Sequence, residues 1–575
     1  MEQVFLALAV IIITAAVVGY IARLLKQPLI PAYVVTGLIL GPTGLAALGG
    51  IFPSTAGLLS FFTLSNDAVI RTMSEIGIAF LLFIVGLEMD FKKIRTVSLV
   101  CSLGGTIQIA VLFGLGFFIA LLLGSFKIQA VYLGLIVAFS STAIVVKLLS
   151  DKREIDTLHG RIIIGILLME DFFAILALSL LATIDTFTLS TFGLSMLKAG
   201  VLFGVAILMS KFIFPRMFKF AAKSQELLFM VSLAVCFIFA IAFSTIGFSI
   251  IIGAFVAGLA LGNLDYSLEI ISRVKPLKDF FVLIFFTSLG LQLSLSSFKT
   301  VWIALPIFIG IIILLKPFLI QLNCALFGYK KKVGFMTAVN MSQVGEFSLI
   351  IISQGMLLGH IKEEIFSLAM IIALVTITLT AYLSKYDQSL YKKFSRTLSI
   401  FDKANPIHHL EYLPDEKRYD VILCGYNRIG YSVYKALRKM KKNVLLIDFN
   451  PETIRECIKK KMHCLYGDVG DMEVIDHMNL PTAKILISTI PDFYDNKLLL
   501  KRAKTENPAI NVFVTAHEVD DALKLYEMGA DYVIMPHVLG GKYVSLIIDS
   551  TKKMHDLVNR KVEHIIELKR RHGYH

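Results

Sequence analysis

The residues of this chain that could do chemistry are polar and charged groups set inside apolar runs. Glu170-Asp171 stands near the centre of Gly-Ile-Leu-Leu-Met-Glu-Asp-Phe-Phe-Ala, Lys316 within Ile-Leu-Leu-Lys-Pro-Phe, and Glu346 within Ser342-Gln343-Val344-Gly345-Glu346-Phe347. Gln108 and the run Ser140-Ser141-Thr142 occupy the centres of two further apolar stretches. A charge at the middle of a bilayer costs at least about 2.5–3.5 kcal/mol, and such residues default to function. Gln108 or Ser140 taken alone reads as glue between helices. The acidic pair does not, because adjacent carboxylates point to different helix faces and cannot share one structural partner. Lys316 reads equally as a countercharge or as a titrating group. Low dielectric favours the neutral form of both acid and amine, so either can exchange a proton near neutral pH. Carboxylate oxygens are also good ligands for a hard monovalent cation. One site that takes either a proton or a cation, but never both, produces obligatory exchange. The candidate ion and proton site is therefore Asp171, Glu170, Gln108, Ser141, Thr142, Lys316 and Glu346.

The elements that must position these groups are membrane helices. Hydrophobic residues make up 56% of the 575 and charged residues 17%, against about a quarter charged in soluble domains. Apolar runs fill residues 1–384, and a bilayer core of about 30 Å takes about 20 such residues per helix. Thirteen spans are predicted: 4–22, 29–49, 75–91, 97–123, 129–150, 162–184, 196–218, 226–245, 248–264, 280–295, 300–328, 334–358 and 364–384. The first run lacks a preceding basic region and is read as a span, not a cleavable signal peptide. With thirteen spans the basic clusters Arg23/Lys26, Lys92/Lys93/Arg95, Lys152/Arg153/Arg161, Arg216/Lys219/Lys223, Arg273/Lys275/Lys278 and Lys330–Lys332 all fall on one side. The positive-inside rule makes that side the cytoplasm, with the N-terminus outside. The same clusters account for the net charge of +13 without invoking nucleic acid. None of the six cysteines forms a Cys-x-x-Cys pair, so neither a transition-metal site nor a disulfide framework is expected.

Spans 4–6 and 11–13 enter the membrane with opposite senses, and the middle span of each triplet carries an interruption: Phe139-Ser140-Ser141-Thr142 in one, Met341-Ser342-Gln343-Val344-Gly345 in the other. Interrupted helices in inverted repeats mark the binding site of secondary transporters, since unwound backbone is tolerated at membrane depth only beside a cavity.

The chain resembles the Kef-type branch of the monovalent cation:proton antiporter family. The resemblance rests on Glu75-Ile-Gly-Ile-Ala-Phe-Leu-Leu-Phe-Ile-Val-Gly-Leu-Glu88-Met-Asp90, Ala138-Phe-Ser-Ser-Thr-Ala-Ile-Val-Val-Lys147, Ser342-Gln-Val-Gly-Glu346-Phe, Gly253-Ala-Phe-Val-Ala-Gly258 and Phe285-Phe-Thr-Ser-Leu-Gly290-Leu. It implies a sodium/proton antiporter fold with two crossing broken helices, elevator-like movement and a homodimer in the inner membrane, with a regulatory ancillary subunit as a further partner. It carries the essential aspartate, and with it the monovalent cation, to Asp171, the membrane lysine to Lys316 and the glutamine of span 4 to Gln108. Glu170 departs from the Gln common at that position in Kef-type proteins. The family's His-Ala-Leu-Glu loop is reduced to Ser267-Leu268-Glu269, which argues against glutathione gating.

After an amphipathic linker (385–417), strand signals at 420–424, 444–448, 463–466, 485–490, 512–515 and 532–535 alternate with helix signals through 418–540, a doubly wound parallel sheet. The first turn, Gly425-Tyr426-Asn427-Arg428-Ile429-Gly430, is a Rossmann-type fingerprint with Asn at the middle glycine. Asp448 ends the second strand where an acid can accept ribose hydroxyls, and Asp468 follows the third. This part resembles an RCK (TrkA-N) domain, implying an adenine nucleotide such as NAD(H), AMP or ATP at Gly425, Asn427, Arg428, Gly430, Asp448 and Asp468. Residues 541–575 read as a charged helical tail, too short for a substrate domain, so no enzyme is expected. The reading is a K+/H+ antiporter under nucleotide control. The alternatives are a Na+/H+ antiporter of the same fold and an RCK-gated K+ channel, which the lack of a Thr-x-Gly-Tyr-Gly filter disfavours.

Overall fold

The computed structural model describes residues 2–42, 44, 68–88, 99–152, 154–155, 157–181, 200–246, 249–293, 301–403, 411–412, 418–426, 429–470 and 472–550. Two compact units result, one of residues 1–327 with 331–404, the other of residues 328–330 with 405–575.

The first unit is helical. In chain order its helices are α1 (Glu2–Leu24), α2 (Leu29–Leu40), α3 (Ala68–Glu88), α4 (Val100–Leu122), α5 (Lys127–Ala138), α6 (Thr142–Asp151), α7 (Leu158–Leu181) and α8 (Gly200–Ala221). There follow α9 (Gln225–Thr245), α10 (Ile250–Gly262), α11 (Ser267–Leu291), α12 (Ala304–Leu326), α13 (Lys331–Asn340), α14 (Glu346–Leu357), α15 (Glu363–Lys385) and α16 (Asp387–Lys403). Among the described residues eight helical segments are long and apolar enough to cross a membrane, with α5 and α6 counted together, and α2, α10 and α14 are shorter apolar helices.

One group of helices is held at backbone distance by small residues. α3 lies along α10 and α11, α11 along α2, and α9 along α10. A Cβ on Gly290 would stand 2.1 Å from the Val34 carbonyl, and one on Gly258 2.1 Å from that of Phe83. Such contact gains dispersion energy where lipid tails leave no hydrophobic drive between helices. α11 also corrects an expectation. Span 10 was placed at 280–295, but the helix runs unbroken from Ser267 with Pro276 inside it, so Arg273, Lys275 and Lys278 lie on the helix.

The second group contains the two interrupted helices. α5 stops at Ala138 and α6 starts at Thr142; α13 stops at Asn340 and α14 starts at Glu346. The two gaps meet: Gly345 N–H donates to the Phe139 carbonyl at 3.0 Å, and the Ser140 hydroxyl to that of Met341 at 3.2 Å. Around them stand the continuous helices α4, α7, α12 and α15. α8 and α12 each contain a π-helical turn, Met209–Ile213 and Ile311–Leu315, just before Pro215 and Pro317, where the missing proline N–H breaks the regular ladder. α16 is fastened near both ends, by Lys152 to Asp387 at 2.5 Å and by Lys331 to Asp402 at 3.3 Å. Burial pushes the Asp387 carboxyl up, against the opposing pull of Lys152.

The second unit is a seven-stranded sheet in the order β1-β4-β3-β2-β5-β6-β7. Its strands are β1 (Glu411–Tyr412), β2 (Val421–Cys424), β3 (Val444–Asp448), β4 (Cys464–Tyr466), β5 (Ile485–Ser488), β6 (Asn511–Thr515) and β7 (Tyr532–Ile534). All pairings are parallel except β1 with β4. The six expected strands are present within one or two residues of their predicted ends; the two-residue edge strand β1 was too short to read. β2, β3 and β4 are fully buried, as parallel strands covered by helices on both faces must be. The final helix starts at Pro536 and runs to Ser550, earlier than the expected boundary at 541; residues 551–575 lie outside the described residues.

Gly290→Val should force α2 and α11 apart, at a cost of at least about 1–3 kcal/mol, read as a drop in the unfolding temperature of the detergent-purified protein. Gly310→Ala is the control: nothing lies within 4 Å of the added methyl, and no drop is expected.

Candidate functional site

The site forms where the interrupted pair faces α7. Breaking a helix leaves unpaired amides and carbonyls at the two new ends, and in a low-dielectric interior each must find a partner. At the first gap the partners are the carboxylates. Ser140 N–H donates to Glu170 Oε2 at 2.5 Å, with the Ser140 hydroxyl 3.4 Å from Oε1. Thr142 Oγ1 lies 2.9 and 3.1 Å from the two oxygens of Asp171. The carboxylate of Glu346, itself the first residue of α14, lies close to the Ala143 backbone. Glu170 and Asp171 are 1% and 5% exposed. Adjacent on α7, they reach different partners, as two neighbouring helical side chains must.

At the second gap three successive carbonyls are each held from a different element. Met341 O accepts from Ser140, Ser342 O from Thr380 Oγ1 at 2.5 Å, and Gln343 O from Lys316 Nζ at 3.1 Å. Lys316 is fully buried and interacts electrostatically with Glu170. Gly345 is required here, because a Cβ would stand 2.6 Å from the Ser140 carbonyl. Asp171 has Glu346, Glu170 and Glu88 as its charged neighbours. The arrangement divides the acids: Glu170 meets a backbone amide and the field of an ammonium, while Asp171 meets a neutral hydroxyl and further negative charge.

Five of the seven residues expected at the ion site are thus assembled: Asp171, Glu170, Thr142, Lys316 and Glu346. Two are used otherwise. The Ser141 side chain accepts from Ile144 N–H and caps α6. Gln108 Oε1 accepts from Asn323 Nδ2 at 3.4 Å, tying α4 to α12, and its Nε2 has no hydrogen-bond partner among the described residues. Sequence reasoning passed over Gln343, wholly buried with neither side-chain polar atom paired among the described residues. Its position inside the second interruption was the available signal.

In the second unit, β2 runs into Gly425, whose φ of +88° suits glycine. A Cβ on Gly430 would collide with the Gly425 carbonyl at 2.0 Å, so this helix starts hard against the turn. Thr489 Oγ1 donates to the carbonyls of Cys424 and Gly425. Asp448 accepts from Tyr426 N–H at 2.9 Å and Asn450 N–H at 2.8 Å, bracing the turn. Asp468 accepts from Gly470 N–H. Asn427 and Arg428 lie outside the described residues. The two glycines give the close backbone approach that a nucleotide pyrophosphate needs.

Residues 12–385 match the sodium/hydrogen exchanger transmembrane family, about two thirds of the chain. The chain belongs to that family. Residues 421–536 match the TrkA-N domain family. Among relatives, the Shigella sonnei glutathione-regulated potassium-efflux system protein KefC is 25% identical over 528 residues, 90% of this chain and 80% of its own. The Escherichia coli protein YbaL is 25% identical over 538 residues, 91% of this chain and 93% of its own. The Arabidopsis thaliana K(+) efflux antiporter 5 is 28% identical over 390 residues, covering 66% of this exchanger-family chain and 65% of the plant protein.

Asp171→Asn should abolish cation-dependent proton flux in vesicles while leaving the purified protein folded, since the amide keeps its shape and can still pair with Thr142. Exchange at the wild-type rate in that variant would remove Asp171 from the site.

Proposed function

We propose that this chain is a secondary-active monovalent cation:proton antiporter exchanging K+ for H+ in the direction of K+ efflux, at one site occupied alternately by the two ions. The observation that carries this reading is the buried Glu170-Asp171 pair seated against the meeting point of the two interruptions. Asp171, bonded among the described residues to the Thr142 hydroxyl and with Glu346, Glu170 and Glu88 as charged neighbours, is the oxygen pair that attracts a cation or keeps a proton. Glu170, facing Lys316, balances the ammonium and fixes Ser140. The unpaired amide of Gln343 is the kind of buried polar group that calls for a water or an ion, and its oxygen is a neutral ligand for the cation. K+ rather than Na+ rests on the names of the KefC and plant relatives; the family name alone leaves sodium as the second reading.

The protein crosses the inner membrane thirteen times, N-terminus outside, with spans 4–6 and 11–13 as inverted repeats and residues 385–417 linking to a cytoplasmic domain at 418–540. Alternate exposure of the site moves the interrupted pair as one body within a homodimer, by elevator-like displacement. An adenine nucleotide at the Gly425 turn, near Asp448 and Asp468, regulates the exchange; Asn427 and Arg428 complete that site, and an ancillary subunit is a further regulator. When bound, the nucleotide supplies only a shape and a charge for the turn to grip, and no step of exchange passes through it.

Proton flux in proteoliposomes, driven in turn by K+, Na+ and Li+ gradients across pH, tests the reading. K+-driven flux is expected. Flux with Na+ alone selects the sodium reading, and no cation-dependent flux sinks both. Calorimetry of the full-length protein tests the regulatory site: Gly425→Val, forced into a left-handed backbone against Thr489, should weaken adenine-nucleotide binding at least about tenfold. Unchanged affinity would place the nucleotide elsewhere.

A further inference from the structure

The second interruption is held on its far side by a set of hydroxyls spaced four residues apart on α15. Thr376, Thr380 and Ser384 are all fully buried, and four-residue spacing sets them on one face of the helix. Val344 N–H donates to Thr376 Oγ1 at 3.3 Å, Thr380 Oγ1 donates to the Ser342 carbonyl at 2.5 Å, and Ser384 Oγ donates to Asn340 Oδ1 at 2.5 Å. The three rungs thus meet the last residue of α13, the middle of the gap and its far side. The lowest rung continues outward: Lys152, which follows α6, donates to the Ser384 carbonyl and to Asp387 at the start of α16.

We propose that Thr376, Thr380 and Ser384 are positioning residues that set the backbone of the second interruption at the spacing a dehydrated cation requires. The proposal rests on the antiport reading above. An isolated helix-packing role would be met by any residues of matching volume. Here two hydroxyls pair backbone groups that the interruption leaves open, the third anchors the Asn340 side chain at its edge, and the interruption is bonded in turn to Ser140 beside Glu170. A proton needs one carboxylate oxygen. A cation needs several oxygens at fixed distances, so a displacement of the gap weakens the cation more than the proton. Misplacements of about 1 Å can cost about a hundredfold where geometry matters.

The test measures proteoliposome exchange, with KM for the cation separated from the maximal rate, for Thr380→Val and Thr380→Ser. Thr380→Val, isosteric but without the hydroxyl, should raise the cation KM about tenfold, the effect of one lost hydrogen bond, with the maximal rate at saturating cation within about twofold. Thr380→Ser should restore the KM. If Thr380→Val is not recovered folded, Thr376→Val and Ser384→Ala break the neighbouring rungs and carry the same expectation. Wild-type KM in every recovered valine or alanine variant overturns the proposal, as does a Thr380→Ser variant as impaired as Thr380→Val. Failure of the antiport reading is separate, because the wild-type protein itself would then show no cation-dependent flux.

Discussion

The structure depends on one constraint: two helices are broken inside the buried helical unit, so the backbone groups left open at the gaps must be paired from the rest of the protein. Several of them come from the buried charged side chains that gather at the gaps. Ser140 N–H is closed by Glu170 and the Gln343 carbonyl by Lys316. Further links run gap to gap, from Gly345 to Phe139 and from Ser140 to Met341, and from α15, where Thr380 and Thr376 meet Ser342 and Val344. A side chain that changes its proton or cation here changes a bond that supports the backbone. In the proposed antiport, ion occupancy and helix geometry are therefore one equilibrium, the condition for a carrier whose exposure to either side depends on what it holds.

The same constraint explains the asymmetry between the two acids on α7. Both are buried, yet they are not equivalent, since Glu170 has a backbone donor and the field of Lys316 whereas Asp171 has a single threonine hydroxyl and three acidic neighbours. In the proposed antiport, the acid with the backbone donor and the ammonium beside it serves the architecture, and Asp171 serves transport. The Kef-type resemblance expects Gln at the position of Glu170, whose carboxylate sets a charge rather than an amide dipole in the field of Lys316.

Much of this was legible in the sequence, for a physical reason. Charges within apolar runs, Ser- and Gly-rich stretches within predicted spans, and short apolar strands bounded by turns are local patterns, and each marked its feature: the α7 acids, the two gaps, and strands β2 to β7. What could not be read was pairing at a distance. Ser140 and Met341 are 201 residues apart, and nothing near either names the other. Ser141 was grouped with the ion ligands because it lies in the gap, but a serine before a helix caps it just as readily. Gln108 pairs with Asn323, 215 residues away. Asp448 sits at the expected ribose position, yet its oxygens brace the turn. The hydroxyl rungs of α15 looked like ordinary small residues in an apolar span, because their partners lie some 32 to 44 residues earlier. α16 read as a linker, since its two ion-paired ends are visible only once Lys152 and Lys331 are placed.

The central claim is that proton and cation exclude one another at Asp171. It is tested most directly by the dissociation constant of the purified protein for K+, measured by calorimetry at a series of pH values. Competition for one site predicts that the constant rises about tenfold for each unit the pH falls below the point at which the site takes its proton, with one proton released per ion bound. A dissociation constant independent of pH, with no proton released on binding, would contradict it.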